Sequence, residues 1–112
     1  MREICLKRTT QWMGKDLVIH VQNENGHIGS VVIGQPYIKE GQVHVTCNTF
    51  NCLTHKDDAV ASMYVKALVK KYQCTVTCIC GIHLDSITKE EMSAIIEWVK
   101  KDIQKMEEEN HE

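Results

Sequence analysis

The sequence is poor in proline, with a single residue, and holds only six glycines in 112 residues. That excludes collagen-like and low-complexity chains, and 43% hydrophobic with 25% charged residues excludes intrinsic disorder. Long apolar runs are also missing. Segments such as Leu17-Val18-Ile19 and Ser30-Val31-Val32-Ile33 fall far short of the ~20 residues of a membrane helix. Charge of one sign is not in excess: 13 Lys plus Arg against 15 Asp plus Glu give a net −2. No global field therefore draws the chain to phosphate backbones or anionic lipid, and neither nucleic acid nor a membrane is expected as a partner. The opening Met1-Arg2-Glu3-Ile4-Cys5-Leu6-Lys7 puts charges where a signal peptide carries an unbroken apolar core, so a cytoplasmic location is expected.

Six cysteines are present, but no Cys-x-x-Cys pair, so the usual zinc-ribbon spacing is absent. Cys74, Val76, Cys78 and Cys80 alternate on one face of an expected strand, where cysteine behaves as a small buried hydrophobe. The length suits one domain, residues 1–112, with a charged tail from about 107. Four short segments rich in Val, Ile or Thr read as strands: Glu3 to Arg8, Leu17 to Gln22, Ser30 to Gln35 and Gln42 to Thr49. Thr10 to Gly14 and Lys39-Glu40-Gly41 read as hairpin turns. With no long crossover between these strands, antiparallel pairing is expected. Asp57 to Tyr72 carries Ala61, Tyr64, Val65, Leu68 and Tyr72 at helical spacing, with Thr54 or His55 as cap and Asp57 and Asp58 in the first turn. Cys74 to Gly81 reads as a fifth strand. Thr88 and Glu91 then form a capping box that opens a second helix. The fold class is therefore α+β, in the order β-β-β-β-α-β-α, an antiparallel sheet with two helices on one face. The second helix bears a long stripe, Met92, Ile95, Ile96, Val99, Ile103 and Met106. Part of it is expected to cover the sheet and the rest, including Ile103 and Met106, to meet another subunit, making a homo-oligomer.

Of six histidines, His20 and His44 fall within strands and His111 in the acidic tail, and none of these is assigned a role. His27, His55 and His83 stand in loops or at element boundaries, where function concentrates. Were their loops to converge, the three imidazoles with Asp57 or Asp85 would match a catalytic-type metal shell. A small metalloprotein or hydrolase is thus one reading, although no nucleophile elbow such as Gly-x-Ser-x-Gly is present. Gly26-His27-Ile28-Gly29-Ser30 also has the makings of a small anion cradle, with Lys56 as countercharge.

Three segments together, His27-Ile28-Gly29-Ser30-Val31, His55-Lys56-Asp57-Asp58 and Gly81-Ile82-His83-Leu84-Asp85-Ser86-Ile87-Thr88, resemble the prenylated-flavin chaperone-like family. That family includes the small D component of hydroxyarylic acid and gallate decarboxylase systems and is similar to proteasome-assembly chaperones. The resemblance runs from about Asn23 to Val99. It implies a non-catalytic accessory protein for a prenylated-flavin-dependent aromatic acid decarboxylase, with prenylated FMN or FMN as cofactor and the decarboxylase as partner. It implies His27, Gly29, His55, Lys56, Asp57, Gly81, His83 and Asp85 as cofactor-binding positions. The chain departs from the family at Asn23-Glu24-Asn25-Gly26, where a glycine pair and a proline are usual. A purely structural assembly chaperone without a small-molecule ligand is the remaining reading.

Overall fold

The computed structural model describes residues 2–52 and 57–109. The elements are β1 (Lys7–Met13), β2 (Asp16–Gln22), β3 (Ser30–Lys39), β4 (Gln42–Asn51), α1 (Asp58–Tyr72), β5 (Val76–Gly81) and α2 (Lys89–Glu108). Their order is the expected one. The sheet is not purely antiparallel, however: its order is β1-β2-β5-β3-β4, and β5 pairs parallel to β2 and antiparallel to β3. The reason is geometric. Two hairpins, β1-β2 and β3-β4, each leave an inner strand unpaired, and β2 and β3 run in opposite directions. A strand inserted between them must be parallel to one. The crossover that parallel pairing requires is supplied by α1, downstream of all four hairpin strands.

β1 also begins and ends later than the expected Glu3 to Arg8. Most of the segment expected as a turn is strand, and the reversal falls at Gly14-Lys15. This strand lies at the sheet edge and reads KRTTQWM, so it lacks the apolar alternation that marks a half-buried strand. The second hairpin turns at Glu40 and Gly41, with φ of 53° and 77°, the pair of positive values that a type I′ turn demands.

Alternation along the strands separates two faces. On one, the cross-strand rows Thr10–Ile19–Cys78–Val32–Thr49 and Trp12–Leu17–Val76–Gly34–Cys47 carry the buried residues beneath the helices. Cys78 and Cys80 are fully buried here, as hydrophobes, and burial pushes the Cys80 thiol up to about 12. On the other face, the rows Thr9–His20–Ile79–Val31–Phe50 and Gln11–Val18–Thr77–Ile33–Asn48 carry no helix. β5, whose residues are all buried or half-buried, is the central strand.

The helices share the first face. α1 packs over β3, β5 and β4, and α2 is tied to β1 through Arg8, whose guanidinium donates two hydrogen bonds to Asp102 (3.0 and 3.1 Å). Tyr64, fully buried on α1, donates its hydroxyl to the same carboxylate (2.8 Å). Contrary to expectation, Ile103 and Met106 are not left for another subunit: they are 8% and 3% exposed and belong to one core cluster with Ile19, Tyr64 and Leu68. Lys71 closes the end of α2, donating to the carbonyls of Met106, Glu107 and Glu109, a cation placed where the helix dipole favours one.

The expected capping box is formed at the start of α2. Glu91 N–H donates to Thr88 Oγ1 (3.1 Å), and Thr88 N–H donates to Glu91 Oε1 (3.0 Å). Arg2 adds a fork of 2.8 and 3.0 Å onto the same carboxylate, although Glu91 is only 1% exposed. The Arg2 hydrogen bonds, then the Thr88 backbone N–H, hold the Glu91 carboxyl down at about 2, against an ordinary value of 4.5. A carboxyl lowered by folding stabilises the native state above its unfolded value and loses that contribution on protonation. Stability is therefore expected to fall as pH drops from about 4.5 to about 2. Urea denaturation across that range should show the fall in the native chain and a flatter profile in Glu91→Gln.

Candidate functional site

The site forms where the β2-β3 loop, residues 23–29, crosses the end of β5. Contact there is backbone against backbone. A Cβ on Gly26 would stand 2.0 Å from the Gly81 carbonyl oxygen, and one on Gly81 would stand 2.1 Å from the His27 carbonyl oxygen. Only two glycines can pass so closely. Asn23 fixes the crossing: its side chain donates to the His83 carbonyl (2.8 Å) and accepts from the His83 N–H (3.0 Å), while its own carbonyl accepts from Gly26 N–H (3.0 Å). Gly29 N–H donates to the Cys80 carbonyl (2.9 Å), and the Gly29 carbonyl accepts from Cys52 N–H (2.7 Å).

Held this way, His27 and His83 meet, with ring centroids 5.4 Å apart. His83 Nε2 lies 3.1 Å from Asp85 Oδ1. Asp57, at the N-cap position of α1, does not cap its helix with its side chain. Its carboxylate instead accepts from Ile82 N–H (3.2 Å), which ties the start of α1 to the end of β5. Of the residues implied by resemblance, His27, Gly29, Asp57, Gly81, His83 and Asp85 thus gather at one end of the sheet. His55 and Lys56, and the Thr54 or His55 cap, lie outside the described residues.

The histidine pair stands between two cavities. One, of 370 Å³, lies on the helix side between the starts of α1 and α2, with Val60, Ile82, Leu84, Met92 and Ile96 among its lining and His83 and Asp57 at its polar edge. The other, of 220 Å³, opens on the helix-free face beside His20, His27, Ile28 and Ile79. The larger reaches the lower end of the ~300 to 1,000 Å³ usual for ligand pockets, and its wall is largely aliphatic. Such a lining suits the apolar part of a prenylated flavin, and the His83 ring offers a hydrogen bond to its polar edge. A phosphate fits less simply: the described lining contains no lysine or arginine, and the Gly26 and Gly29 N–H groups already serve the Asn23 and Cys80 carbonyls. Lys56, the countercharge the sequence offers, lies outside the described residues. Among the described residues, no three His, Cys, Asp or Glu side chains gather as a metal site would need, and the third histidine of that reading is His55.

Two contributors escaped the sequence reading. Asn23 looked like a loop residue, and only its position before a Gly-bearing turn hinted at a side chain bonding to nearby backbone. His20 reads in sequence as an exposed strand residue without a role, yet it stands on the same row as Ile79 beside the smaller cavity.

The model of the family described as prenylated flavin chaperone LpdD-like domain matches residues 2–111. No curated protein sequence matches. Among solved structures, a chain of a chaperone complex for yeast 20S proteasome assembly is similar, with a TM-score of 0.53 and 12% sequence identity over 91% of this chain and 97% of that one. At that identity the likeness is one of fold.

Proposed function

The chain belongs to the prenylated flavin chaperone LpdD-like family, and from that premise we propose that it is a non-catalytic accessory protein of a prenylated-flavin-dependent aromatic acid decarboxylase, acting in the cytoplasm. The observation that carries the reading is the meeting of His27 with His83, whose ring edges an aliphatic cavity. In this reading the cavity takes the prenylated part of the flavin. His83, oriented by Asp85 and by the two Asn23 hydrogen bonds, addresses the flavin's polar edge, and Lys56 answers the phosphate. The chain holds the cofactor or the enzyme that receives it and makes no bond of its own. No helix among the described residues is long and apolar enough to cross a membrane.

Cells producing the decarboxylase with and without this chain provide the test. Flavin absorbance per decarboxylase subunit is expected to rise when the native chain is present. With a His27→Ala, His83→Ala chain it is expected to fall back to the level found without any chain. Equal loading in all three would defeat the proposal. Loading that rises equally with the native chain and the doubly substituted one would instead support a ligand-free assembly chaperone.

A further inference from the structure

The two edges of the sheet are built differently. The order β1-β2-β5-β3-β4 leaves one side of β1 and one side of β4 without a neighbouring strand among the described residues. Proteins guard such edges with lysine, proline or an inward-pointing charge, because unpaired N–H and C=O groups invite another strand. β1 is guarded: it begins with Lys7 and turns Arg8 inward to Asp102. The stretch of β3 that runs past the end of β5 is guarded by Pro36. β4 is ten residues long, reads QVHVTCNTFN and holds neither a charged residue nor a proline, in a chain where a quarter of the residues are charged.

The register shows which of its groups face outward. Cys52 N–H donates to the Gly29 carbonyl (2.7 Å), one step beyond the Ser30–Asn51 pair. Alternate residues from there, Phe50, Asn48, Thr46 and His44, therefore turn their N–H and C=O to β3, and Val43, Val45, Cys47, Thr49 and Asn51 turn theirs away from it. Pro36 agrees with this phase, since it stands opposite Val45, where the ladder asks β3 for no N–H.

We propose that β4 takes an added strand from the enzyme this chain serves, an extended segment that pairs with the outward row from Val43 to Asn51. The outward groups recur every ~6.6 Å, twice the ~3.3 Å rise of a strand, a spacing that extended backbone matches. Side chains narrow the occupant further. The same residues point their side chains to the helix side, where Val45 and Cys47 are half-buried against the core. An added strand covers what remains exposed of them with its own alternate side chains, and a lysine or carboxylate there would meet no countercharge on β4. The segment is therefore neutral or apolar at every second position. This rests on the accessory reading above: a chain that makes no bond of its own acts by holding its enzyme.

Amide exchange followed by nuclear magnetic resonance, on the full chain alone and mixed with the cofactor-free decarboxylase, tests the assignment. In the chain alone the amides of Val43, Val45, Cys47, Thr49 and Asn51 are expected to exchange fast, and with the enzyme at least ~10-fold more slowly. Thr49→Pro removes one outward N–H and spares the β3 ladder, and Thr49→Lys places a helix-side charge on the edge, as Arg8 does on β1. Each is expected to weaken binding at least ~10-fold in Kd with circular dichroism unchanged, whereas Gln11→Lys, on the β1 edge, should bind as the native chain does. An enzyme that does not bind, binding that leaves these amides fast or that neither Thr49 variant weakens, or amides already protected in the chain alone by a second copy would each overturn the assignment. Flavin loading that rises while the β4 amides stay fast overturns the added strand and leaves the cofactor reading standing. Protected amides without a rise in loading do the reverse.

Discussion

Asp102→Ala is expected to destabilise the fold by ~3 to 5 kcal/mol, the cost of removing one partner from a buried, hydrogen-bonded charge pair. Arg8 and Asp102 have side chains only 18% and 12% exposed, and the guanidinium would be left without its anion. Tyr64, fully buried, would lose the acceptor of its hydroxyl at the same time. The node joins β1, α1 and α2, three elements far apart in sequence, so its loss acts on the whole helical layer. For a domain whose total stability is ~5 to 15 kcal/mol, the thermal midpoint should drop by more than ~10 °C. Tyr64→Phe apportions the effect. It keeps the Arg8 fork and is expected to cost ~1 kcal/mol, and Asp102→Asn should fall between the two. A cost below ~1 kcal/mol for Asp102→Ala would mean that α2 is held by its apolar stripe alone.

What the sequence disclosed follows from how local each signal is. The capping box at Thr88 and Glu91, the hairpin at Glu40-Gly41 and the buried alternation of Cys78 and Cys80 depend on residues within a few positions of one another, and each was legible. β1 departs from the expected bounds because its inward positions are Arg8, Thr10 and Trp12, so the strand KRTTQWM packs under the helices without an apolar period. The parallel pairing of β2 with β5 depends on where a strand inserts nearly sixty residues later, which alternation within either strand does not record. Coverage of Ile103 and Met106 likewise depends on tertiary packing. A helix period shows that a stripe is apolar without showing what lies against it.

The candidate site divides along the same line. Glycine and histidine in three bends suggested a meeting point, and the meeting of His27 with His83 is in the structure. The Asn23 clamp was not foreseen, because an asparagine with both faces of its amide spent on one residue sixty positions away looks in sequence like any loop asparagine. It also explains how the departure at Asn23-Glu24-Asn25-Gly26 is accommodated. The loop is anchored by a side chain at its start and by a single glycine at the crossing.

That crossing sets the second large effect. Gly81→Ala is expected to cost ~3 kcal/mol or more, because the new methyl would sit 2.1 Å from the carbonyl oxygen and 2.7 Å from the carbonyl carbon of His27, and backbone cannot rotate aside as a flexible side chain can. Gly26→Ala meets the Gly81 carbonyl oxygen at 2.0 Å and should cost a similar amount. Both clashes are relieved by one movement, the lifting of residues 23–29 off the end of β5. The double variant is therefore expected to cost clearly less than the sum of the two single ones, a coupling that independent sites would not show. Lifting the loop also parts His27 from His83 while leaving Cys78, Tyr64 and the core beneath the helices in place. Chemical denaturation supplies the energies, and the nuclear Overhauser contact between the two imidazoles, strong in the native chain and lost in each variant, reports the separation. Full additivity, or a persistent contact in Gly81→Ala, would show that the loop does not depend on this glycine-on-glycine passage.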